Sequence, residues 1–292
     1  MKFSIHSSLF NVVKMNFDYV EAIANWSAFL SLMNGFHEIN LVVNTSEDNT
    51  LEVIKEAAVK YRKYNVVINV IESDIPYSDP AFDGKIKDIG FQLSTGDINI
   101  LLDLDETVPL YTYKAWERLG KMLMENQELD ALFIPSIDLF GSFEKATAVN
   151  QKWYMVKNKA HIHRGVFAGA IKQDGSIDVN RSDTTECIYN DGSLVRTGQI
   201  FDQRMNYIDK LKELQTDKWP FVFHLGSLNL DQRIKQNEYW LPVWENRAGE
   251  KVTNIKLDKE QYKETTTFDH KLKYWNVISI VSSEIISENK EL

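Results

Sequence analysis

In NILLDLDETVP, residues 99–109, an apolar run passes without a break into two aspartates separated by one leucine; a glutamate follows at once and a proline soon after. Acids at the end of a strand are ordinary when they merely face water, so the stretch takes its meaning from where its strand lies. The chain before it alternates strand and helix. Lys2–His6 reads as a short strand, Phe17–Met33 as a helix with Val20, Ile23, Ala24, Phe29 and Leu30 on its apolar side, and Glu38–Val43 as a second strand. Leu51–Tyr64 reads as an amphipathic helix, Val66–Ile71 as a third strand, Gly84–Ser94 as a helix and Ile98–Leu102 as a fourth strand. Four β–α steps within about 100 residues predict an α/β fold: a mostly parallel sheet with right-handed crossovers and helices on both faces. Such sheets bind ligands beyond the carboxyl ends of their strands, and Asp103 and Asp105 fall on that edge. Residues two apart on an extended chain point the same way, so the two carboxylates share a side while Leu104 turns back to the core. Paired hard oxygens suit Mg²⁺ or Mn²⁺, which keep positions open for a substrate diphosphate. Glu106 is either a further acid of this edge or the cap of a helix starting near Leu110.

Composition narrows the partners. With 33 Lys and Arg against 42 Asp and Glu, the net charge of −9 gives no electrostatic reason to bind a phosphate backbone, and a nucleic-acid partner is disfavoured. A chain of 292 residues buries a full core. Without an internal repeat, a low-complexity run or a Gly/Ser linker, it reads as one domain over 1–292. The single cysteine, Cys187, rules out an intrachain disulfide and a Cys-rich zinc site and reads as an ordinary small side chain. The opening MKFSIHSSLFNVV lacks the apolar core of a signal peptide, and no stretch approaches the roughly 20 apolar residues of a transmembrane span. The expected location is cytoplasmic.

With the acidic pair at the end of the fourth strand, the N-terminal half resembles the nucleotide-sugar-binding half of a GT-A glycosyltransferase, closest to the family 2 type, in which an Asp-x-Asp motif holds the metal of the donor. Ser7-Ser8-Leu9-Phe10-Asn11 stands where the family's first-strand turn lines the base, which implies base contacts for Ser7 and Asn11. Asn44-Thr45-Ser46-Glu47-Asp48 replaces the family's Asp-Asp-x-Ser after the second strand and offers Asn44 to a base edge or ribose. Lys87-Asp88-Ile89-Gly90 and Ser94-Thr95-Gly96-Asp97 resemble the family's Arg-Asn-x-Gly and Ala-x-Gly-Glu. The resemblance then implies Lys87 near the diphosphate, with Lys85 as a second candidate, and Asp88 near the nucleoside or sugar. It covers residues 1–110 well and is weak over 111–215.

In the second half, Trp219–Phe223 reads as a short apolar strand running into His224-Leu225-Gly226-Ser227. Many GT-A enzymes place here a histidine that returns to the metal, which implies Asp103, Asp105 and His224 as the ligand set, with Asp103 also on the donor side. Imidazole suits Mn²⁺ better than Mg²⁺. Asn229–Trp240 reads as a capped helix, followed by Leu241–Arg247. Trp240 and Trp244 pack that helix onto the sheet, Arg233 and Arg247 are candidates to close over the diphosphate, and 258–292 is expected to be helical and then frayed. Between the halves, Leu132–Pro135, Trp153–Val156, Ile162–Ile171 and Ile188–Val195 read as strands of hairpins turned at Asp174-Gly175 and Asp191-Gly192, an acceptor side beside the parallel sheet. His161 and His163 share a strand face there, where polar contacts are the preferred reading over a metal. An inverting transferase needs a carboxylate base, and Asp183, with Glu186 as runner-up, lies in the densest polar loop of this interval.

The expected enzyme is thus a GT-A-like, Mn²⁺- or Mg²⁺-dependent glycosyltransferase. Residues 1–110 form its nucleotide-sugar half, 111–228 its acceptor half and 229–292 a C-terminal helical extension. It would move a sugar from a nucleotide diphosphate-sugar, UDP-sugars foremost, to a hydroxyl of a saccharide or glycoconjugate. A sugar-nucleotide nucleotidyltransferase would need a Gly-rich phosphate loop after the first strand, and Ser7–Val13 has no glycine. A catalytically silent nucleotide-sugar- or glycan-binding module is the other alternative, against which Asp103, Asp105 and His224 together argue.

Overall fold

The computed structural model describes residues 1–79, 82–142, 145–159, 162–167, 186–190, 193–202, 204–205, 207–214, 218–248, 251, 257–258 and 268–269. Its first part runs β1 (Phe3–Leu9), α1 (Tyr19–Ser31), β2 (His37–Asn44), α2 (Thr50–Lys60), β3 (Val66–Ser73), α3 (Phe82–Leu93) and β4 (Ile98–Leu101). Strands β1, β2, β3 and β4 pair in parallel in the order β3-β2-β1-β4. Alternation along each strand assigns its side chains to two layers. Phe3, Ile5 and Leu9 of β1, Ile39, Leu41 and Val43 of β2, and Ile98 and Ile100 of β4 pack with α1 and α2 in the main core. On the other face Val42 meets Phe82 and Ile86 of α3, while Leu101 meets Phe91. Covered on both sides, β2 and β4 are buried at every residue, whereas in the edge strand β3 only Val66 is buried and the rest are half-buried or exposed. At Gly90 α3 lies so close to the sheet that a Cβ would stand 3.0 Å from Val42 and 3.2 Å from His6.

The chain continues through β5 (Glu106–Thr107), a 3₁₀ turn at Leu110–Thr112, α4 (Tyr113–Glu125), β6 (Ala131–Phe140), β7 (Lys145–Lys157), β8 (Ile162–Phe167), β9 (Glu186–Asn190), β10 (Ser193–Leu194), β11 (Thr197–Gln199), α5 (Tyr207–Leu214), β12 (Val222–Ser227), α6 (Leu230–Ala248) and β13 (Phe268–Asp269). α4 adds Trp116, Leu119 and Leu123 to the main core. The sheet extends from β4 as β4-β7-β6-β12-β5, with β7 antiparallel to both neighbours and β12 again parallel to β6; β11 and β13 attach beside β6 and β7. This is the mostly parallel, Rossmann-like α/β sheet of the GT-A class. Among the described residues, no helix is long and apolar enough to cross a membrane.

Several expectations change. Leu132–Pro135 and Trp153–Val156 are not hairpin strands beside the sheet but parts of β6 and β7, two long strands inside it; Pro135 is accommodated next to a register shift between Leu132 and Ile134. Among the described residues, β8, β9 and β10 alone form a separate three-stranded sheet, and β8 packs against α3. β12 begins at Val222, so His224 lies within the strand rather than after it. α6 runs through Pro242 as one helix of 19 residues, its contacts outweighing the roughly 3 kcal/mol that an interior proline costs. In the tail, where a helix was expected, Phe268–Asp269 pairs with β7 as a strand.

Candidate functional site

The carboxyl edge of the sheet gathers a charged cluster around the end of β4. Leu104 is buried, as alternation requires, and Asp103 and Asp105 flank it on the rim of a cavity of about 240 Å³. Asp103 faces Lys87 of α3, with Oδ1 3.2 Å from Nζ, and Lys152 of β7, with Oδ2 3.9 Å from Nζ. Its backbone N–H donates to Glu106 Oε2 at 2.9 Å. Glu106 is 1% exposed and is ion-paired to Lys152; burial pushes its carboxyl up, against the pull of Lys152. Glu106 is thus neither a helix cap nor a solvent-facing acid. It sits in β5, paired with β12, and fastens the turn that carries Asp103.

His224 lies between two carboxylates. Its Nε2 is 3.1 Å from Asp105 Oδ2 and its Nδ1 is 3.0 Å from Asp138 Oδ1, while Asn150 Nδ2 donates to the other oxygen of Asp138 at 2.6 Å. Burial opposes charge on the ring, but the two carboxylates outweigh it and push the imidazole up to about 10. Burial alone would raise Asp105 too; the attraction and hydrogen bond of His224 bring it below the ordinary carboxylate value. Gly226 makes the pair possible, because a Cβ there would lie 2.8 Å from Asp105 Oδ2 and 2.9 Å from His224 Nε2.

The donor set suits a divalent ion in part. A separation of 3.1 Å between Asp105 Oδ2 and His224 Nε2 is that of adjacent ligands on an ion bound at roughly 2.1 Å, and a carboxylate on the far ring nitrogen is the usual support of a metal-ligating histidine. Asp103, the third expected ligand, faces the two lysines instead. Among the described residues no three His, Cys, Asp or Glu side chains converge on one point.

From this acidic end the cavity runs between the loop after β1 and helix α6, lined by Ser8, Phe10, Phe82, Ile86, Arg233, Gln236, Asn237 and Trp240 among others. Phe10 stacks on Tyr77 with centroids 4.6 Å apart and planes at 13°, and Trp240 stands 5.4 Å from Tyr77. α6 is fastened over the loop: Asn11 Nδ2 donates to the Tyr239 hydroxyl at 2.7 Å, and Lys14 Nζ lies 5.2 Å above the Tyr239 ring.

The residues named from the sequence fall into three groups. Asp103, Asp105, His224 and Lys87 come together at the carboxyl edge. Ser7 is buried away from the cavity, which Ser8 lines instead. Asn11, held at φ 49°, a region asparagine tolerates, has its amide engaged by Tyr239 and by the Glu47 N–H at 2.8 Å. Asn44 donates to the Ile75 carbonyl at 3.1 Å. Lys85 pairs with Asp79 rather than with the acidic end, and Asp88 accepts from Gln92 at 3.3 Å. For the third group, Asp183 and His161 lie outside the described residues; Glu186 opens β9 opposite Phe167, His163 lies in β8, and Arg247 lies on α6, with none of these side chains described. The turns at Asp174-Gly175 and Asp191-Gly192 also lie outside. Asp138, Lys152 and Gln236 were missed, and Glu106 was left open between two readings. Asp138 and Lys152 reach Glu106 and His224 through non-local strand pairing that leaves no local signal. Arg233, Gln236, Asn237 and Trp240, however, recur at i, i+3, i+4 and i+7, which places them on one helix face.

A scan against models of known protein families finds no match, and no curated protein matches the sequence. Solved structures similar in part include Staphylococcus aureus TarS, at 15% identity over 49% of this chain and 22% of that one, with a TM-score of 0.34. TarS 1–349 in complex with UDP-GlcNAc matches at 12% identity over 89% of this chain and 77% of that one, with a TM-score of 0.40. HddC from Yersinia pseudotuberculosis matches at 10% identity over 54% of this chain and 73% of that one, with a TM-score of 0.33. The chain therefore spans less than a quarter of the length of the first TarS structure. At such scores the likeness carries nothing about function; that weight falls on the chemistry of the cavity itself.

Proposed function

We propose that the chain is a metal-dependent glycosyltransferase acting on a nucleotide diphosphate-sugar, a UDP-sugar foremost, with a saccharide or glycoconjugate hydroxyl as acceptor. The observation that carries this reading is a single cavity with Asp103 and Asp105 at one end and Phe10, Phe82 and Trp240 along its walls. Flat apolar walls suit a nucleoside, and the acidic end suits a cation held against its phosphates. Asp105 and His224 would hold Mn²⁺ or Mg²⁺, joined by Asp103; such an ion neutralises charge growing on a departing diphosphate. Lys87 is the cation best placed to touch the phosphates, since it already stands against Asp103, whereas Lys85 is turned to Asp79. Asp183, or failing it Glu186, would take the acceptor's proton in an inverting reaction.

A thermal-shift panel of nucleotide diphosphates and their sugars, with and without Mn²⁺, tests the reading. A ligand at a hundredfold excess over its dissociation constant adds about 2.7 kcal/mol, so the melting temperature should rise clearly with the right donor and metal. Asp105→Asn should abolish the metal-dependent part while the protein stays folded. No stabilisation by any donor would sink the proposal, and donor binding with neither transfer nor donor hydrolysis would return the chain to a silent binding module.

A further inference from the structure

Of the amides expected to read the nucleobase, Asn11 bonds to Tyr239 and Glu47, while Asn44 donates to Ile75 and keeps a buried Oδ1 without a partner, and neither lines the cavity. Across the cavity, α6 presents another. Gln236 is 4% exposed and lines the cavity beside Trp240, facing the side formed by Ser8 and Phe10. Its neighbour Asn237, 5% exposed, has a partner within the chain, whereas no described residue hydrogen-bonds the Gln236 side chain. An amide at a cavity wall that makes no hydrogen bond within the chain takes its partner from whatever fills that cavity.

We propose that Gln236 reads the hydrogen-bonding edge of the donor's nucleobase, an inference that rests on the nucleotide-sugar reading above. A primary amide presents one acceptor and one donor side by side. It therefore matches a base whose edge carries a donor next to an acceptor, while the neighbouring Trp240 and Phe10 supply apolar contact to the ring. The acidic end is then left to the diphosphate and metal, and base identity is decided at the opposite wall by a helix from the far end of the chain.

Titration calorimetry in Mn²⁺ separates the terms. UDP, CDP, ADP and GDP are compared with inorganic pyrophosphate, which has no base, on wild type, Gln236→Leu and Gln236→Glu. Gln236→Leu should weaken the preferred nucleoside diphosphate by at least about tenfold and leave pyrophosphate unchanged. Its melting temperature without ligand should hold, because the amide makes no hydrogen bond within the chain for the substitution to break. Gln236→Glu, which exchanges the donor for an acceptor at nearly constant volume, should reorder the four bases. Equal losses for pyrophosphate and nucleotides, or a drop in apo stability with nucleotide affinity unchanged, would overturn the proposal. If the wild type binds no nucleoside diphosphate, this inference falls together with the functional reading; if it binds one and both variants bind it equally well, only the role of Gln236 falls.

Discussion

Asp105 and His224 face each other across a gap that glycine alone leaves open. Gly226→Ala would put a methyl group 2.8 Å from the carboxylate and 2.9 Å from the ring nitrogen, too close for either side chain to keep its place. Overpacking of this kind costs about 1–3 kcal/mol, a loss a full core absorbs. The expected variant is folded by circular dichroism but has lost at least about tenfold in Mn²⁺ affinity by calorimetry, and undiminished affinity would show that the pair is not the ion's seat. At this scale the sequence is legible where chemistry is local. The alternation of Asp103, Leu104 and Asp105 can be read from three letters, and the structure buries Leu104 between them. Asp138 and Lys152 cannot be read so, because their meaning depends on a strand register that no neighbouring residue announces. Asn11 and Asn44 illustrate a different limit: residue type and position suggest a ligand contact, but both amide groups donate to protein partners.

Among the elements, β2 and β4 were the most legible, through the apolar runs Leu41-Val42-Val43 and Ile100-Leu101-Leu102, although β1 and β2 also bury Ser4, His6, Glu38 and Asn40. The limits of α6 were less so, because Pro242 is a strong local reason to stop a helix and tertiary contacts override it. Those contacts centre on Tyr239, whose hydroxyl accepts from Asn11 at 2.7 Å and so ties α6 to the loop after β1. Tyr239→Phe would leave the Asn11 amide short of a partner. The expected cost is about 1–2 kcal/mol, seen as a lower urea midpoint, and nucleotide affinity should fall with it because Gln236 and Trp240 ride on the same helix. An unchanged midpoint would mean that the ring contacts alone hold the helix. β6 and β7 were recognised as strands but put in the wrong sheet, since strand character is local and sheet membership is not.

For the molecule as a whole, the two edges of the sheet carry different charge clusters, one around Glu38 and one around Asp103, Asp105 and His224. At the amino edge Glu38 is buried and accepts from Lys2 Nζ at 2.8 Å, Ser4 Oγ at 2.6 Å and the Thr95 N–H at 2.6 Å, joining β1, β2 and the loop before β4. Burial would raise its carboxyl, but the hydrogen bonds from Lys2, Ser4 and Thr95 outweigh it and hold the group at about 2. Asp130, before β6, is likewise held at about 2, where its hydrogen bonds from Arg196 and Lys159 overcome burial. Because the folded value lies below the unfolded one, this stability is complete above about pH 4.5 and is lost as pH falls toward about 2. Urea unfolding of wild type and Glu38→Gln should therefore differ by about 2–4 kcal/mol at pH 6 and by less at pH 3; an equal gap at both would exclude the charge of Glu38 as its source. The cavity at the opposite edge takes one wall from Ser8 and Phe10 and the other from Arg233 to Trp240. On the ribosome the acidic rim is therefore made long before its roof. At about 5–20 residues per second, the interval from Asp105 to Trp240 lasts on the order of ten seconds. During that time the nascent half can close its parallel strands, but it has no α6 wall to its cavity and no His224 beside Asp105. If the proposed nucleotide binding holds, capture marks the emergence of α6, and ligand protects only chains whose synthesis has passed it.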